Sequence, residues 1–364
     1  AASDVYKRQG FDGVLISDWA AIEETIYHGY CADKEDAAIR AVEAGVDIDM
    51  MTGIYCDNLC RLVREGKIPE SLVDECCMRI LELKNKLGLF ENPYKDADEE
   101  KEQQLILCKE HRELAREAAR KSFVLLKNEE QILPLDKTKK TAFIGPYVNS
   151  RNLMGSWSII GEAKDITTVE ETMAVEEAGN NVVCCQGSPM LGAEVILEGF
   201  TEENQATYTP EEEAKMLEEA LEAAKKADQV VLFIGEDRLQ SGEATSNATI
   251  QIPQIQQNLL ERVAEINENI AVVLFSGRPL DLRDVQVKAK AILEVWMPGT
   301  EGAGAITDVL YGRYNPTGKL PMSFPYCVGQ VPVHYNEYAT GRPHVEGKDK
   351  DRFRSKYLDI PNAP

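Results

Sequence analysis

The chain has 364 residues, 43% of them hydrophobic, with 40 Lys and Arg against 62 Asp and Glu and a formal charge of −22. That length accommodates two domains with separate cores, and the composition is that of an ordinary globular protein rather than a disordered or collagenous one. The negative charge repels phosphate backbones and anionic lipid headgroups, which argues against nucleic acid and membrane surfaces as partners, and no apolar run approaches the roughly 20 residues of a membrane-spanning helix.

In chain order, residues 1–9 show neither helical nor strand period and read as a foreign segment joined at Gly10. No signal peptide with a basic start and an apolar middle is visible, and export stays open because the native start can lie upstream. Residues 13–17, Gly-Val-Leu-Ile-Ser, form the short continuous apolar run of a strand buried on both faces, ended by Asp18. A helical pattern over 35–44 places Ala37, Ala38, Ala41 and Val42 on one face; Gly45 stops it and a second short strand is expected over 46–50. Apolar residues at helical spacing, among them Leu62, Val63, Leu72, Val73, Ile80, Leu81 and Leu83, continue over 59–87, broken by a turn at 66–69.

Residues 91–104 are charged, contain Pro93 and the acidic run 96–100, and fit a solvated linker at a domain boundary. Beyond it, strands are expected at 123–126, 141–144, 181–184, 230–234, 271–275 and 292–296, alternating with helices near 111–121, 210–226, 253–267 and 300–310. This is the pattern of an α/β layered sandwich. The tail over 341–364 is charged and turn-rich with no regular element.

Nine cysteines, an odd number that includes the adjacent pairs Cys76-Cys77 and Cys184-Cys185, suit no regular disulfide framework and favour a reducing cytoplasm. Cys56 and Cys60 sit one helical turn apart, but with four His and no matching Cys-x-x-Cys pair neither a metal nor any other cofactor is expected.

Asp18 stands at the C-terminal end of an apolar strand, where α/β barrels gather active-site groups, and Trp19 beside it offers an apolar wall for a bound ring. Position alone gives equal weight to a plain role for Ser17-Asp18 as the cap of a following helix. Asp47 and Asp49 are two apart on a short strand and share a face, which makes them runner-up carboxyls; structural hydrogen bonding is the favoured reading for both.

The run Gly10-Phe11-Asp12-Gly13-Val14-Leu15-Ile16-Ser17-Asp18-Trp19 resembles the nucleophile strand of the family 3 glycoside hydrolases, in which an aspartate preceded by Ser and often followed by Trp is glycosylated. Further matches run in order through nearly the whole chain: Ala44-Gly45-Val46-Asp47-Ile48-Asp49-Met50, Gly88-Leu89-Phe90, Ser122-Phe123-Val124-Leu125-Leu126-Lys127-Asn128 and Leu133-Pro134-Leu135. Later come Met154-Gly155-Ser156-Trp157, Trp296-Met297-Pro298-Gly299-Thr300-Glu301-Gly302 and Asn315-Pro316-Thr317-Gly318-Lys319-Leu320-Pro321. The resemblance implies the C-terminal part of a (β/α)8 barrel over 10–90, a linker over 91–110, an α/β sandwich domain over 111–345 and a truncated tail over 346–364.

It also implies retaining hydrolysis of terminal non-reducing β-D-glycosides, which needs one carboxylate to attack the anomeric carbon and one protonated carboxyl to donate to the leaving oxygen, about 5 to 5.5 Å apart. Asp18 takes the first role. Ser241-Gly242-Glu243-Ala244-Thr245-Ser246 resembles the mobile loop that supplies the second, so Glu243 is the acid/base, with Glu236 as its rival. Without the resemblance, a short polar loop around a glutamate is a solvated turn. An Arg commonly follows this loop motif in related members, whereas this sequence has Asn247, so contacts there are expected to differ. The loop is closer to that of broad β-glucosidases than to that of members specialised for N-acetylglucosamine; the implied partner is a β-linked oligosaccharide or glycoside, and homo-oligomers remain open.

Two readings compete. Gly299-Thr300-Glu301-Gly302-Ala303-Gly304 sits between a strand and a helix, but has neither the Gly-x-Gly-x-x-Gly nor the Gly-Lys-Ser/Thr spacing of a nucleotide site, and a close-packed helix start is the plainer account. The second is a fragment that binds sugar without turnover, since only about two of the eight strand-helix units that close a barrel are present. The upstream residues that grip sugar hydroxyls, and a downstream fibronectin-like domain, are expected to lie outside the chain.

Overall fold

The structure, a computed structural model, describes residues 9–158, 161–192, 208–334, 336, 338, 340–345 and 351–362. Residues 1–8 of the segment 1–9 that reads as foreign, and residues 346–350 and 363–364 of the tail, lie outside the described residues. The chain divides into two compact units, 1–103 and 104–364.

The first unit is built on α1 (Ala21–Tyr27), α2 (Lys34–Glu43), α3 (Ile54–Arg64) and α4 (Glu70–Lys86). Asp33 starts α2 by accepting the Asp36 N–H at 2.9 Å, and Gly45 ends it at φ 83°, a left-handed conformation in which a side chain is strained. The stripe Ala37, Ala38 and Val42 packs with Ile22, Ile54, Leu62, Ile68 and Cys76 into one small core. The two expected strands behave differently from the sequence pattern. They run parallel but meet in one bridge, Ile16 to Ile48, with the Ser17 N–H donating to Ile48 and the Asp47 N–H donating to Leu15. Ile16 is 54% exposed rather than buried on both faces, because among the described residues no further strand flanks this pair. The stretch expected as a linker is partly helical, with α5 at Glu99–Leu105.

The second unit contains α6 (Lys109–Ser122), β1 (Val124–Asn128), β2 (Thr141–Ile144), α7 (Val169–Val175), β3 (Val182–Cys185), α8 (Pro210–Lys226), β4 (Gln229–Gly235), α9 (Gln254–Ala264), β5 (Ile270–Phe275), α10 (Arg283–Lys288), β6 (Ala291–Glu294) and α11 (Gly302–Leu310). The strands form one mixed sheet ordered β1-β6-β5-β4-β2-β3, antiparallel only between β1 and β6. Successive residues alternate between its faces. Val231, Phe233, Val273, Phe275 and Leu293 pack against α6, α7 and α11, whereas Val230, Leu232, Ile234, Val272 and Leu274 pack against α8, α9 and α10. That two-sided burial is why these strands are apolar without interruption, and each buried aromatic ring contributes roughly 2 kcal/mol. Helix α8 begins with Pro210 behind a reciprocal cap between Thr209 and Glu212.

The glycines of 299–304 serve packing. A Cβ at Gly302 would fall 2.5 Å from Pro298, and one at Gly304 would fall 2.9 Å from the Arg116 guanidinium, which grips Asp308 through two 2.8 Å bonds. The Glu301 carboxylate at this helix start pairs with Arg112. The plain reading of a close-packed helix start therefore applies, and the carboxylate there repels phosphate.

Candidate active site

In the first unit the chain reaches Asp18 through a segment held at several atoms. The buried Asp47 carboxylate accepts the Leu15 N–H at 2.8 Å and pairs with Arg79 of α4 at 2.8 Å, while Ser17 Oγ accepts the Met50 N–H at 2.8 Å. Asp49 accepts from Thr52 Oγ1 at 2.6 Å. Both runner-up carboxyls are thus engaged in holding backbone and helix ends, the structural role favoured for them. The pairing also draws the Arg79 guanidinium further above its ordinary range, chiefly through its hydrogen bond to Asp47.

Asp18 itself is exposed, and its Oδ1 accepts the Trp19 N–H at 2.6 Å. The capping reading does not survive the geometry: α1 starts from Ala20 in a left-handed conformation with no side-chain cap. Trp19 is 64% exposed beside it, a ring face presented to solvent. Cys56 and Cys60 are exposed on α3, and among the described residues no cluster of three or more His, Cys, Asp and Glu side chains could hold a metal ion.

In the second unit the carboxyl ends of β4, β5 and β6 gather a buried polar group. Gly235 closes β4 with both backbone polar atoms bonded to the amide of fully buried Gln256, at 2.8 and 3.0 Å. Glu236 follows at 1% exposure, and its Oε1 lies 3.1 Å from Arg278 Nε. Burial pushes the Glu236 carboxyl up to about 7 although Arg278 and the Gly277 N–H pull the other way. At the end of β6 Glu294 is wholly buried; its Oε1 accepts from Ser276 at 3.2 Å and from the Trp296 N–H at 2.8 Å, while no group hydrogen-bonds Oε2. Burial, with the nearby Glu236 adding to it, raises Glu294 to about 8.

From this platform the chain rises into the loop expected to carry the second carboxyl. Asp237 caps a turn of 3-10 helix over Arg238–Gln240, and residues 241–245 then form a tight turn braced by Thr245 Oγ1 donating to the Gly242 carbonyl at 2.6 Å. Glu243 is exposed at its tip, and Glu236 is buried at its root. The side of this turn lies against Ser156 and Trp157, where a Cβ on Gly242 would fall 2.5 Å from Ser156 Oγ. Asn247, where an Arg is common in the resembling motif, instead directs its amide to Glu236 at 3.4 Å.

Asp18 and Trp19 thus belong to one unit and Glu243 to the other. Sequence reasoning missed Arg278, Ser276 and Glu294. A glutamate inside the otherwise apolar run 291–295, and Ser-Gly-Arg-Pro directly after the apolar run 270–275, were the signals available for them.

Residues 123–357 match the Glycosyl hydrolase family 3 C-terminal domain, and residues 4–83 match the Glycosyl hydrolase family 3 N terminal domain. The chain is 39% identical to the periplasmic beta-glucosidase of Salmonella typhimurium, over 98% of its own length and 47% of that protein. It is 32% identical to a beta-xylosidase of Formosa agariphila, over 95% of its length and 46% of the relative. The crystal structure of a beta-glucosidase from Listeria innocua in complex with glucose matches it with a TM-score of 0.87 at 39% identity, covering the whole of this chain and 47% of that one. The chain therefore spans about half the length of the relatives it matches.

The first of these relatives overturns the expectation of a cytoplasmic protein, since its name places it in the periplasm and points to export. The cysteine argument behind that expectation was weak for a physical reason. A sheet core with apolar burial on both faces needs no disulfides for stability, so the lack of a disulfide framework reports little about redox compartment. Two family domains in order, over most of the chain, settle the lineage: the chain belongs to glycosyl hydrolase family 3.

Proposed function

We propose that the whole protein is a retaining β-glycosidase of the β-glucosidase kind, acting on terminal non-reducing β-D-glycosides through a covalent glycosyl-enzyme intermediate. In this reading residues 10–90 are the last strand-helix units of a (β/α)8 barrel, 91–110 a linker, 111–345 an α/β sandwich domain, and 346–364 a tail. The observation that carries it is the placement of two exposed carboxyls in a family 3 chain: Asp18 at the end of a segment clamped by Asp47 and Ser17, and Glu243 at the tip of the loop above β4.

Asp18 Oδ attacks the anomeric carbon while Glu243, carrying a proton, donates it to the departing oxygen. The bond to the leaving group breaks as the bond to Asp18 forms. Glu243, now a carboxylate, takes a proton from water, which attacks the same carbon and releases Asp18. Trp19 supplies an apolar face for the ring, and the substrate is a β-linked oligosaccharide or glycoside. The 364 residues alone are expected to show little or no turnover, because a barrel closes with eight units and the first unit has two extended segments joined by one bridge.

In the whole protein a 2-deoxy-2-fluoro glycoside should label Asp18, as read by mass spectrometry of the trapped peptide; a tag on another residue refutes the assignment. Glu243→Gln should slow glycosides with poor leaving groups by about 10²- to 10⁴-fold and activated aryl glycosides far less, with azide rescuing the latter. Equal loss for both classes would count against Glu243 as acid/base.

A further inference from the structure

One guanidinium holds the Glu243 loop from beneath. Arg278, three residues past the end of β5, donates from Nη2 to the Gln240 carbonyl and to the Thr245 carbonyl, the second at 2.8 Å. Those residues flank the turn that bears Glu243, so a single planar cation bridges its two stems. The cation is anchored in turn: Nε lies 3.1 Å from Oε1 of Glu236, whose side chain is buried at the root of the loop. The backbone beside it is shaped for the same purpose. Ser241 is buried against Gly277, where a Cβ would fall 1.9 Å from Ser241 Oγ, so residue 277 must lack a side chain for the stem to seat.

We propose that Arg278, set in place by Glu236, is a positioning residue that determines where Glu243 presents its carboxyl; the proposal rests on the acid/base reading of Glu243. Proton donation requires hydrogen-bond reach of the leaving oxygen, and a displacement of about 1 Å costs up to about 10²-fold in rate. The tip is exposed and turns through Gly242 and a left-handed Ala244, at φ 114° and 57°; Thr245 Oγ1 braces it from within and Ser156 and Trp157 lie against one side. The stems add a restraint of their own, through the Gln240 and Thr245 carbonyls. Nη2 donates to both carbonyls while Nε faces the Glu236 carboxylate as an ion pair without a hydrogen bond, a spread along the planar guanidinium that a single ammonium does not span. Glu236, the rival of Glu243 in the sequence, thus acts on catalysis through Arg278, without touching the substrate.

The test compares Arg278→Gln, Arg278→Lys and Glu243→Gln in the whole protein, using aryl glycosides with activated leaving groups and alkyl glycosides with poor ones. Arg278→Gln should lower kcat on alkyl glycosides by about 10- to 100-fold, leave the activated substrates within about threefold, and change KM little. Arg278→Lys should fall between it and the parent. In the 364-residue chain, hydrogen exchange over 241–247 should speed up in Arg278→Gln while β4 and β5 stay protected. If Arg278→Gln does not fold, Glu236→Gln, which preserves the shape of the pair and removes one charge, should give the same split.

Equal slowing of both substrate classes, or unchanged kinetics with the loop still protected, overturns the positioning role. If that happens while Glu243→Gln keeps its leaving-group dependence, the acid/base reading stands and only this proposal falls. If Glu243→Gln slows both substrate classes equally, the acid/base reading fails and takes this one with it.

Discussion

Glu294 shows how much of this protein's pH response is written into single side chains. Its carboxyl is fully buried at the end of β6, is raised to about 8, and bonds through Oε1 to Ser276 and the Trp296 N–H. The folded chain therefore holds a proton that the unfolded chain releases near the ordinary glutamate value of 4.5. Stability from this proton is fully present below that value and is lost as pH rises through the folded value, by up to about 1.4 kcal/mol per pH unit. Glu236, raised to about 7, adds to the same slope over the lower part of the window. Glu294→Gln keeps an oxygen for the two donors and removes the titration. Its melting temperature should fall distinctly less between pH 5 and pH 8 than that of the parent, whatever its absolute stability. Parallel curves in thermal scans at matched ionic strength would show that Glu294 is not held protonated.

The elements were legible where both faces of a strand are buried and less so where pairing depends on distant chain. Continuous apolar runs at 230–234 and 271–275 are β4 and β5 within a residue at each end, because helices cover both faces of that sheet. The same signal at 13–17 produced one bridge, since a ladder needs neighbours that the local pattern cannot supply. The short helix Val169–Val175 went unread although Thr168 and Glu171 carry its capping box, and α10 has six residues, too few for a helical period to show. Resemblance to local motifs singled out Asp18 and Glu243 as candidates but not Arg278, because its partners are loop carbonyls more than 30 residues away and carbonyls leave no side-chain signature. Gly235 tests the element that carries the loop. At φ 152°, a Cβ there would fall 1.9 Å from the Phe275 carbonyl oxygen, at the point where β4 and β5 run out together. Gly235→Ala should cost roughly 2–4 kcal/mol through strain and overpacking, seen as a lower urea midpoint with an unchanged slope. A loss under about 0.5 kcal/mol would mean that the strand ends separate easily and that the loop stands on a softer base.

At the scale of the whole chain the two units hold very unequal cores. Among the described residues the first buries nine hydrophobic residues in its cluster, most of them Ala, Cys, Val or Ile, whereas the second has clusters of 26 and 18 that include Phe123, Phe143, Phe233 and Phe275. Net stability is a small remainder after conformational entropy is offset, so a thin core whose one packed aromatic ring among the described residues, Tyr55, is only partly buried leaves little margin. The first unit also exposes Phe11, Ile16, Trp19 and Met51, apolar surface whose burial would otherwise contribute about 25 cal/mol per Å². Heating the 364-residue chain should therefore give two calorimetric transitions, the lower one from residues 1–103. A chain consisting of residues 104–364 should lose that lower transition and keep the upper one within about 3 °C, a shift that corresponds to less than about 2 kcal/mol in a domain of this size. The relatives that share this sequence continue for about as many residues again, and in a protein of that length the apolar surface around Asp18 has further chain available to cover it. The lower transition should accordingly move upward in the whole protein while the upper one stays in place. A single transition in the 364-residue chain, with calorimetric and van't Hoff enthalpies in agreement, would show instead that the small core borrows its stability from the large one.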